Sequence, residues 1–496
     1  MDTFKTVVTA NPYDQVRYPS APQPTSHPVR MSALACLYGR RFASPSSCRV
    51  LELGCGDGAN LLGMAATAPR SQFVGIDLAE SAIVEGRATA TAAGLTNVEL
   101  LVMDIRDVPR SLGEFDYIIA HGVYAWVPAP VREALMSLIG RTLTPNGLAF
   151  VSYNTMPACR ARQIVRDILQ DHVRDAANTA ETIAAAQECL EFYAALWSEE
   201  DPLPNAMRDC VRQALRRPPE VIFHDEMAQT FEPQFVSHVA AHAGRHGLQY
   251  LCDSSPALNS EAFFPSPEKK QLRERAKGDW VRYEQLHDYV SLQRFRQTLL
   301  CRADRAVERC SDWSRLGQLY AQGLFLPEED KEPSSDVLVF RTNGAKPGGH
   351  VSTTNANLGA LIGRIGAADP NTIPLAREIT CPEIGEAILR LFLVGALSLQ
   401  TEPLPFTLTL GERPVASALA RAQISRGEKK VTSLRHMAVE IADPESRHFI
   451  TLLDGKRTRR DLAAEMARFT GAPPAAIAAQ VDDSLMGLAR TALMAG

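Results

Sequence analysis

Between Arg49 and Asp77 two carboxylates frame a run of glycines. Val50-Leu51-Glu52-Leu53 leads into Gly54-Cys55-Gly56-Asp57-Gly58, and a second apolar stretch, Ser71 to Ile76, ends on Asp77. Glycines at 54, 56 and 58 let the backbone approach a bound nucleotide where a side chain would stand in the way. Asp77 sits where a carboxylate accepts hydrogen bonds from both hydroxyls of a ribose. Two cofactors compete for this pattern, because Gly54-x-Gly56-x-x-Ala59 also satisfies the dinucleotide signature. Glu52 separates them. A pyrophosphate at the glycine turn is repelled by that carboxylate, whereas a cofactor carrying a sulfonium and an α-ammonium is attracted. Glu52, Gly54, Gly56, Gly58, Asp77 and Leu78 are the expected contacts, and Cys55 reads as a small spacer rather than a nucleophile.

A second set of residues suits an acceptor. His121, Tyr124 and Trp126 follow an apolar stretch, Phe115 to Ala120. Aromatic faces there can hold a cation, at roughly 0.5–2 kcal/mol; the alternative is packing against a sheet edge. Tyr13, Tyr18 and His27 either fold over the cofactor as a lid or pack as an N-terminal arm. Asn154 and Thr155 either line the acceptor channel or cap the next helix. His238, His242 and His246 share one helix face, but no nearby carboxylate or H-E-x-x-H pattern completes a metal site, so no metal is expected.

These residues need a scaffold of alternating strands and helices. The helix Ala59–Ala66 follows the glycine turn, and Ser81 to Gly94 is a second helix. Val98–Val102, Phe115–Ala120 and Leu148–Tyr153 are further strands, with a helix over Val131–Leu143 and the turn Thr144-Pro145-Asn146-Gly147 before the last. Five such units imply an α/β fold, a doubly wound and mostly parallel Rossmann-like sheet, with ligands at the strands' carboxyl ends. No antiparallel pair follows Tyr153 directly. A helix over Glu232–His246, then Gly247–Cys252 and Phe295–Cys301, read as the elements that complete a discontinuous sheet, with helical insertions at 156–230 and 265–293.

The stretch LELGCGDG and the leucine-x-proline-x-glycine turn resemble the class I methyltransferases. That resemblance implies S-adenosyl-L-methionine as cofactor and Asp104-Ile105 as the pair that meets the adenine. A narrower likeness joins Tyr13, Tyr18-Pro19-Ser20 and His27-Pro28 to HGVYAWVP, SYNTMPA, HDEMAQTFEPQFV, HGLQYL and FRQTLLCR. Together these resemble methyltransferases that carry a regulatory domain, a family that includes bacterial enzymes methylating lysines of outer-membrane proteins. The resemblance covers about residues 10–305. It implies a protein substrate, of the outer-membrane type before export. Tyr18 and His121 are also expected to contact the cofactor. The alternatives are a methyltransferase for a small molecule, peptide or glycan, and a non-catalytic S-adenosylmethionine-binding regulator.

Length and composition agree with this frame. A chain of 496 residues, 45% hydrophobic and 22% charged, is a multi-domain globular protein. A net charge of −5 gives no general pull toward nucleic acid. No secretory signal is expected in Met1–Tyr13 and no membrane insertion elsewhere. Ten cysteines without a C-x-x-C pair suit a reducing cytoplasm. The expected layout is an arm or lid at 1–47, the cofactor-binding core at 48–155, a helical insertion at 156–230, a region at 231–305 that completes the sheet, and a mixed substrate-docking or oligomerisation region at 306–496. A homodimer is compatible with that last region. Within it, Glu328–Ser335 reads as an exposed linker and Pro382–Leu399 as a winged-helix-like unit. Phe449–Arg468 repeats the winged-helix-like idea with a helix, a turn and a helix, and Lys456-Arg457-Thr458-Arg459-Arg460 is either a solvated helix start or a contact for an acidic partner.

Overall fold

The computed structural model describes residues 12–304, 306–310, 312–328, 337–342 and 348–496. Seven strands form the central sheet: β1 Arg49–Leu53, β2 Gln72–Asp77, β3 Val98–Val102, β4 Phe115–Ala120, β5 Leu143–Asn154, β6 Leu248–Asp253 and β7 Phe295–Arg302. Their spatial order is β3-β2-β1-β4-β5-β7-β6. The first five run parallel, and β7 is antiparallel to both β5 and β6. Val50, Leu51 and Leu53 in the central strand are fully buried, as a strand covered on both faces requires. β5 starts earlier than the sequence suggests. Its register against β4 jumps from Phe115↔Leu143 to Tyr117↔Leu148, so Thr144–Gly147 bulge out of the ladder.

The helices alternate with these strands. In chain order they are α1 Pro12–Gln15, α2 Pro28–Leu37, α3 Ala59–Thr67, α4 Glu80–Ala92 and α5 Ala129–Thr142. The first insertion holds α6 Arg160–His172, α7 Thr179–Leu196, α8 Pro202–Leu215 and α9 Pro219–Met227. α10 Val236–Arg245 then leads into β6, and α11 Lys270–Ala276 with α12 Trp280–Ser291 separates β6 from β7. The helix expected over Glu232–His246 is shorter, because the chain before Val236 pairs with other backbone. Glu232 N–H donates to Ala125 C=O at 2.8 Å, and Gln234 N–H to Asn154 C=O at 2.9 Å. The first insertion has a small core of its own, with Val165, Leu169, Leu190, Val211 and Ile222 buried together.

One buried ion cluster ties the far edge of the sheet to the second insertion. Arg296 in β7 is fully buried. Its guanidinium donates to Asp288 at 2.6 Å and Glu284 at 2.7 Å, with Asp253 at 3.8 Å. Desolvation raises the pKa of each carboxyl, Asp253 to about 7, while Arg296 pulls the other way.

After β7 the chain builds two smaller sheets. β8 Tyr320–Gln322 pairs with β12 Ile373–Pro374 and β13 Ser398–Gln400, while β9 Phe325–Glu328, β10 Leu338–Thr342 and β11 Gly349–Thr353 form the other. Helices α13 Ala356–Ala368 and α14 Pro382–Leu393 complete this part. The winged-helix-like reading of Pro382–Leu399 is therefore corrected. Its helix stops at Leu393, and its strand is an edge of the β8 sheet. The unit with a core of its own lies downstream: α15 Ala418–Ser425, hairpin strands β14 Lys430–Thr432 and β15 Ala438–Glu440, α16 Pro444–Leu452, α17 Arg459–Thr470 and α18 Pro474–Arg490. Thr458 and Asp461 make a capping box at the start of α17, and Arg459 pairs with Asp482 at 2.6 Å. Of the expected linker, Glu328 ends β9 and 329–335 lie outside the described residues, as do Met1–Asn11 of the arm. No helix among the described residues is long and apolar enough to cross a membrane.

Candidate active site

One cleft of about 1430 Å³ opens at the carboxyl ends of the parallel strands. Its floor is the turn between β1 and α3. Gly54, Gly56 and Gly58 hold φ of 71°, 56° and 73°, a left-handed backbone that side chains disfavour. A Cβ on Gly54 would also stand 2.5 Å from Val123. Asp77 fixes the loop from β2, accepting from Gly56 N–H at 2.8 Å and Ala79 N–H at 2.9 Å. Leu78 beside it is exposed and lines the cleft.

Glu52 is buried at the cleft floor. Oε1 accepts from Asn60 Nδ2 at 2.8 Å, and Oε2 has no hydrogen-bond partner among the described residues. Burial pushes its pKa up to about 8, with Asp77 and Asp57 adding and Asn60 opposing. Asn60 is held in turn. Its Oδ1 accepts from Gln23 N–H at 2.9 Å and lies 2.8 Å from His436 Nε2. Thus a buried histidine of the C-terminal unit reaches the cofactor turn, a link without any sequence signal.

Asp104 and Ile105 line the cleft beyond β3. The Asp104 carboxylate caps the following 3-10 turn through Arg106 N–H at 2.8 Å and pairs with the Arg106 guanidinium at 2.6 Å. That pairing holds its pKa low. His121 lines the cleft with Nδ1 3.0 Å from Ser152 Oγ, and burial lowers its pKa to about 4, so the ring is neutral near pH 7.

The opposite wall combines the N-terminal arm with the first insertion. Tyr13 stacks on His224 with ring centroids 4.4 Å apart, and Tyr18 meets the same ring edge-on at 5.5 Å. Desolvation, with Asp225 and Asp77 adding, pushes the Tyr13 phenol up to about 12. Tyr18 donates to Asp225 at 3.4 Å. Asp225 and the buried Glu226 are matched by Arg162 and Arg217, at 2.7–3.4 Å. Arg17 latches the arm across Asp57 and Glu85 of the core and Glu428 of the C-terminal unit, at 3.0–3.2 Å.

Several expected placements change. Tyr124 does not line the cleft; it is buried in the core, its hydroxyl 2.6 Å from His242 Nδ1. Trp126 does line the cleft, but Arg162 already lies over its ring at 5.2 Å, and Phe231 packs beside it. His27 is no lid: it caps α2 through Val29 N–H and sits edge-on to His436. Asn154 lines the cleft, whereas Thr155 is buried and hydrogen-bonds the backbone of Gln293 and Arg294. Cys55 is buried in the turn with its thiol pKa raised by desolvation, in keeping with a spacer. Glu133, unseen in the sequence, supplies the carboxylate that His242 and His246 lacked, while His238 packs on Phe235 instead.

Residues 50–147 match the methyltransferase domain family, and residues 218–302 match the predicted methyltransferase regulatory domain. Residues 412–472 match the PKMT C-terminal winged helix domain. PKMT2 from Rickettsia typhi has a similar solved structure, with a TM-score of 0.83 and 25% identity, covering 97% of this chain and all of that one. Its complex with AdoHcy gives a TM-score of 0.82 at the same identity and coverage. The chain belongs to the class I S-adenosylmethionine-dependent methyltransferases of the PKMT type.

Two uncharacterised proteins of Rickettsia prowazekii (strain Madrid E) are also similar to this methyltransferase. One is 32% identical over 363 residues, 72% of this chain but just under two thirds (65%) of its own length. The other is 30% identical over 229 residues, 45% of this chain and 92% of its own length. S-adenosylmethionine is the cofactor of this methyltransferase, and the cleft fits it on three counts. The glycine turn leaves a cradle that side chains would fill, Glu52 offers an unpartnered buried oxygen to a cationic group, and Asp77 stands at the turn.

Proposed function

We propose that this methyltransferase methylates the Nε of lysine side chains in a polypeptide, with outer-membrane proteins held unfolded in the cytoplasm as the substrate class. The observation that carries this reading is the second wall, where Tyr13, Tyr18 and His224 form an aromatic group backed by the Asp225 carboxylate. Aromatic faces take the methylene stem and cation of a lysine, and the carboxylate draws its ammonium. The PKMT designation, protein lysine methyltransferase, supports the same reading through the winged helix domain and the Rickettsia typhi structure.

In this reading Asp77 holds the ribose, Leu78 and Ile105 flank the adenine, and Asp104 takes its exocyclic amine. Glu52 faces the α-ammonium, and Gly54, Gly56 and Gly58 bring the backbone close. When bound, S-adenosylmethionine supplies an electrophilic methyl group on a sulfonium. Tyr18, His121 and Trp126 enclose the acceptor, exclude water and orient the amine. An ammonium must lose its proton before it can act as nucleophile; desolvation in the cleft favours the neutral amine, against the pull of the rings and Asp225 on the cation. That proton leaves to solvent through the open cleft, which Asp225 lines.

The test uses the full chain, labelled S-adenosylmethionine and an unfolded outer-membrane polypeptide, followed by peptide mass spectrometry. The expected result is label on lysine Nε, lost when the lysines are acetylated beforehand. Label on another side chain, or transfer only to small molecules, peptides or glycans, contradicts the lysine assignment. No transfer to any acceptor, with cofactor still bound, points to a binding regulator.

A further inference from the structure

Outside the cleft, two histidines of α10 and one glutamate of α5 converge. His242 Nε2 lies 3.0 Å from Glu133 Oε2, and His246 Nε2 lies 2.9 Å from Glu133 Oε1. These ligand atoms all fall within 4.8 Å of one another. We propose that Glu133, His242 and His246 form a divalent-cation site of the zinc class that clamps α10 to α5. The proposal is independent of the acceptor's identity.

The donor set fits. Two imidazole nitrogens and one carboxylate are what zinc takes in open three-ligand sites, leaving a fourth position for water. His242 and His246 stand one helical turn apart, the spacing that brings two rings to one ion. Zinc-bound nitrogens and oxygens at about 2.0–2.1 Å from the metal are roughly 3.4 Å from each other. The two separations to Glu133 need to open by about half an ångström, and the two histidine nitrogens lie within 4.8 Å of each other, so side-chain adjustment brings all three to one ion. Glu133 is exposed and His246 is only partly covered, so solvent reaches the group from one side.

The ring of His242 is also oriented as a ligand needs to be. Its Nδ1 lies 2.6 Å from the hydroxyl of the buried Tyr124. A phenol can donate or accept. Without metal, Nε2–H donates to Glu133 and Tyr124 donates to Nδ1. With metal, the proton moves to Nδ1 and donates to Tyr124, leaving the Nε2 lone pair for the ion. No proton is gained or lost. An outer partner of this kind fixes the tautomer of metal-bound histidines. The bland alternative is a metal-free set of hydrogen bonds between two helices. The competing cation is Arg245, whose guanidinium lies 3.6 Å from Glu133 but is 62% exposed; it is free to swing into solvent when an ion arrives.

The experiment uses the full chain carrying Cys310→Ser, which removes an exposed thiol. Chelator-stripped protein is titrated with Zn²⁺ by calorimetry and with Co²⁺ by visible absorption. One saturable site is expected, with Co²⁺ bands that lack thiolate charge transfer. Glu133→Gln and His246→Ala, both surface changes, should weaken it by at least about tenfold while the circular dichroism is unchanged. Tyr124→Phe should weaken it by about tenfold, and Arg245→Ala should tighten it several-fold. Absence of saturable Zn²⁺ binding, or binding indifferent to Glu133→Gln and His246→Ala, overturns the site and leaves the hydrogen-bonded clamp.

Discussion

The two walls of the cleft are assembled differently. Glu52, Gly54, Gly56 and Asn60 come from one strand, one turn and one turn of helix, and Asp77 from the neighbouring strand. Tyr13, Trp126, Arg162 and His224 come instead from the arm, the loop after β4, α6 and α9, held together by ion pairs and stacked rings. Local backbone geometry shapes the first wall, so it tolerates change elsewhere. The second depends on the arm, the loop after β4 and the first insertion, segments far apart in the chain, so damage far away should reach it.

Arg296→Met should have the largest effect. It strands the buried carboxylates at the far edge of the sheet and should cost about 3–5 kcal/mol in denaturant unfolding. The sign with pH follows from Asp253, whose folded pKa of about 7 lies above the ordinary carboxylate value. Its contribution favours the fold below the ordinary range and fades as pH rises through 7. Stability should therefore be lower at about pH 8 than at about pH 6. An unaltered unfolding midpoint in Arg296→Met would detach the cluster from the fold.

Asp77→Ala comes next. Loss of its hydrogen bonds to ribose and to the glycine turn should cost about 3 kcal/mol, or roughly two orders of magnitude in calorimetric Kd for S-adenosylhomocysteine. An unchanged Kd moves the ribose elsewhere. Glu52 gives a smaller, pH-dependent effect. Its pKa near 8 leaves it protonated at neutral pH in the cofactor-free chain. Binding a cationic ligand favours the carboxylate, so S-adenosylmethionine affinity should climb by up to about tenfold per pH unit and level off above about pH 8. A profile of the same slope in Glu52→Gln contradicts this. His436→Ala should act least, removing one hydrogen bond to Asn60 and weakening cofactor binding by about 1 kcal/mol. A truncation before the winged helix that bound cofactor normally would show that this link carries nothing.

What could be read in the sequence follows the same division. The glycine turn and Asp77 were legible because they are contiguous and their function lies in the backbone. The closing strands were legible because Leu248–Cys252 and Phe295–Cys301 are too apolar to stand alone. Tyr124 lies between Val123 and Trp126, which line the cleft, while the turn after β4 points its own ring toward α10. Glu133 lies 109 residues before His242, and Asn60 lies 376 residues before His436, so no spacing announces either contact. Of the two winged-helix-like segments, Phe449–Arg468 falls inside the winged helix domain at 412–472, whereas Pro382–Leu399 only imitates its helix-then-strand pattern, because its strand pairs with β8.

The claim that the two walls do separate work is tested most directly by Asp225→Asn, a nearly isosteric change that removes one charge. On the same sample, calorimetry gives the Kd for S-adenosylmethionine and a labelled assay gives kcat/KM for a lysine-bearing unfolded polypeptide. The expected result is a Kd unchanged within about twofold and a kcat/KM lowered by about tenfold, the loss of one ammonium–carboxylate attraction. Parallel losses in both quantities, or full transfer activity, would contradict the division of the cleft into a cofactor wall and a lysine wall.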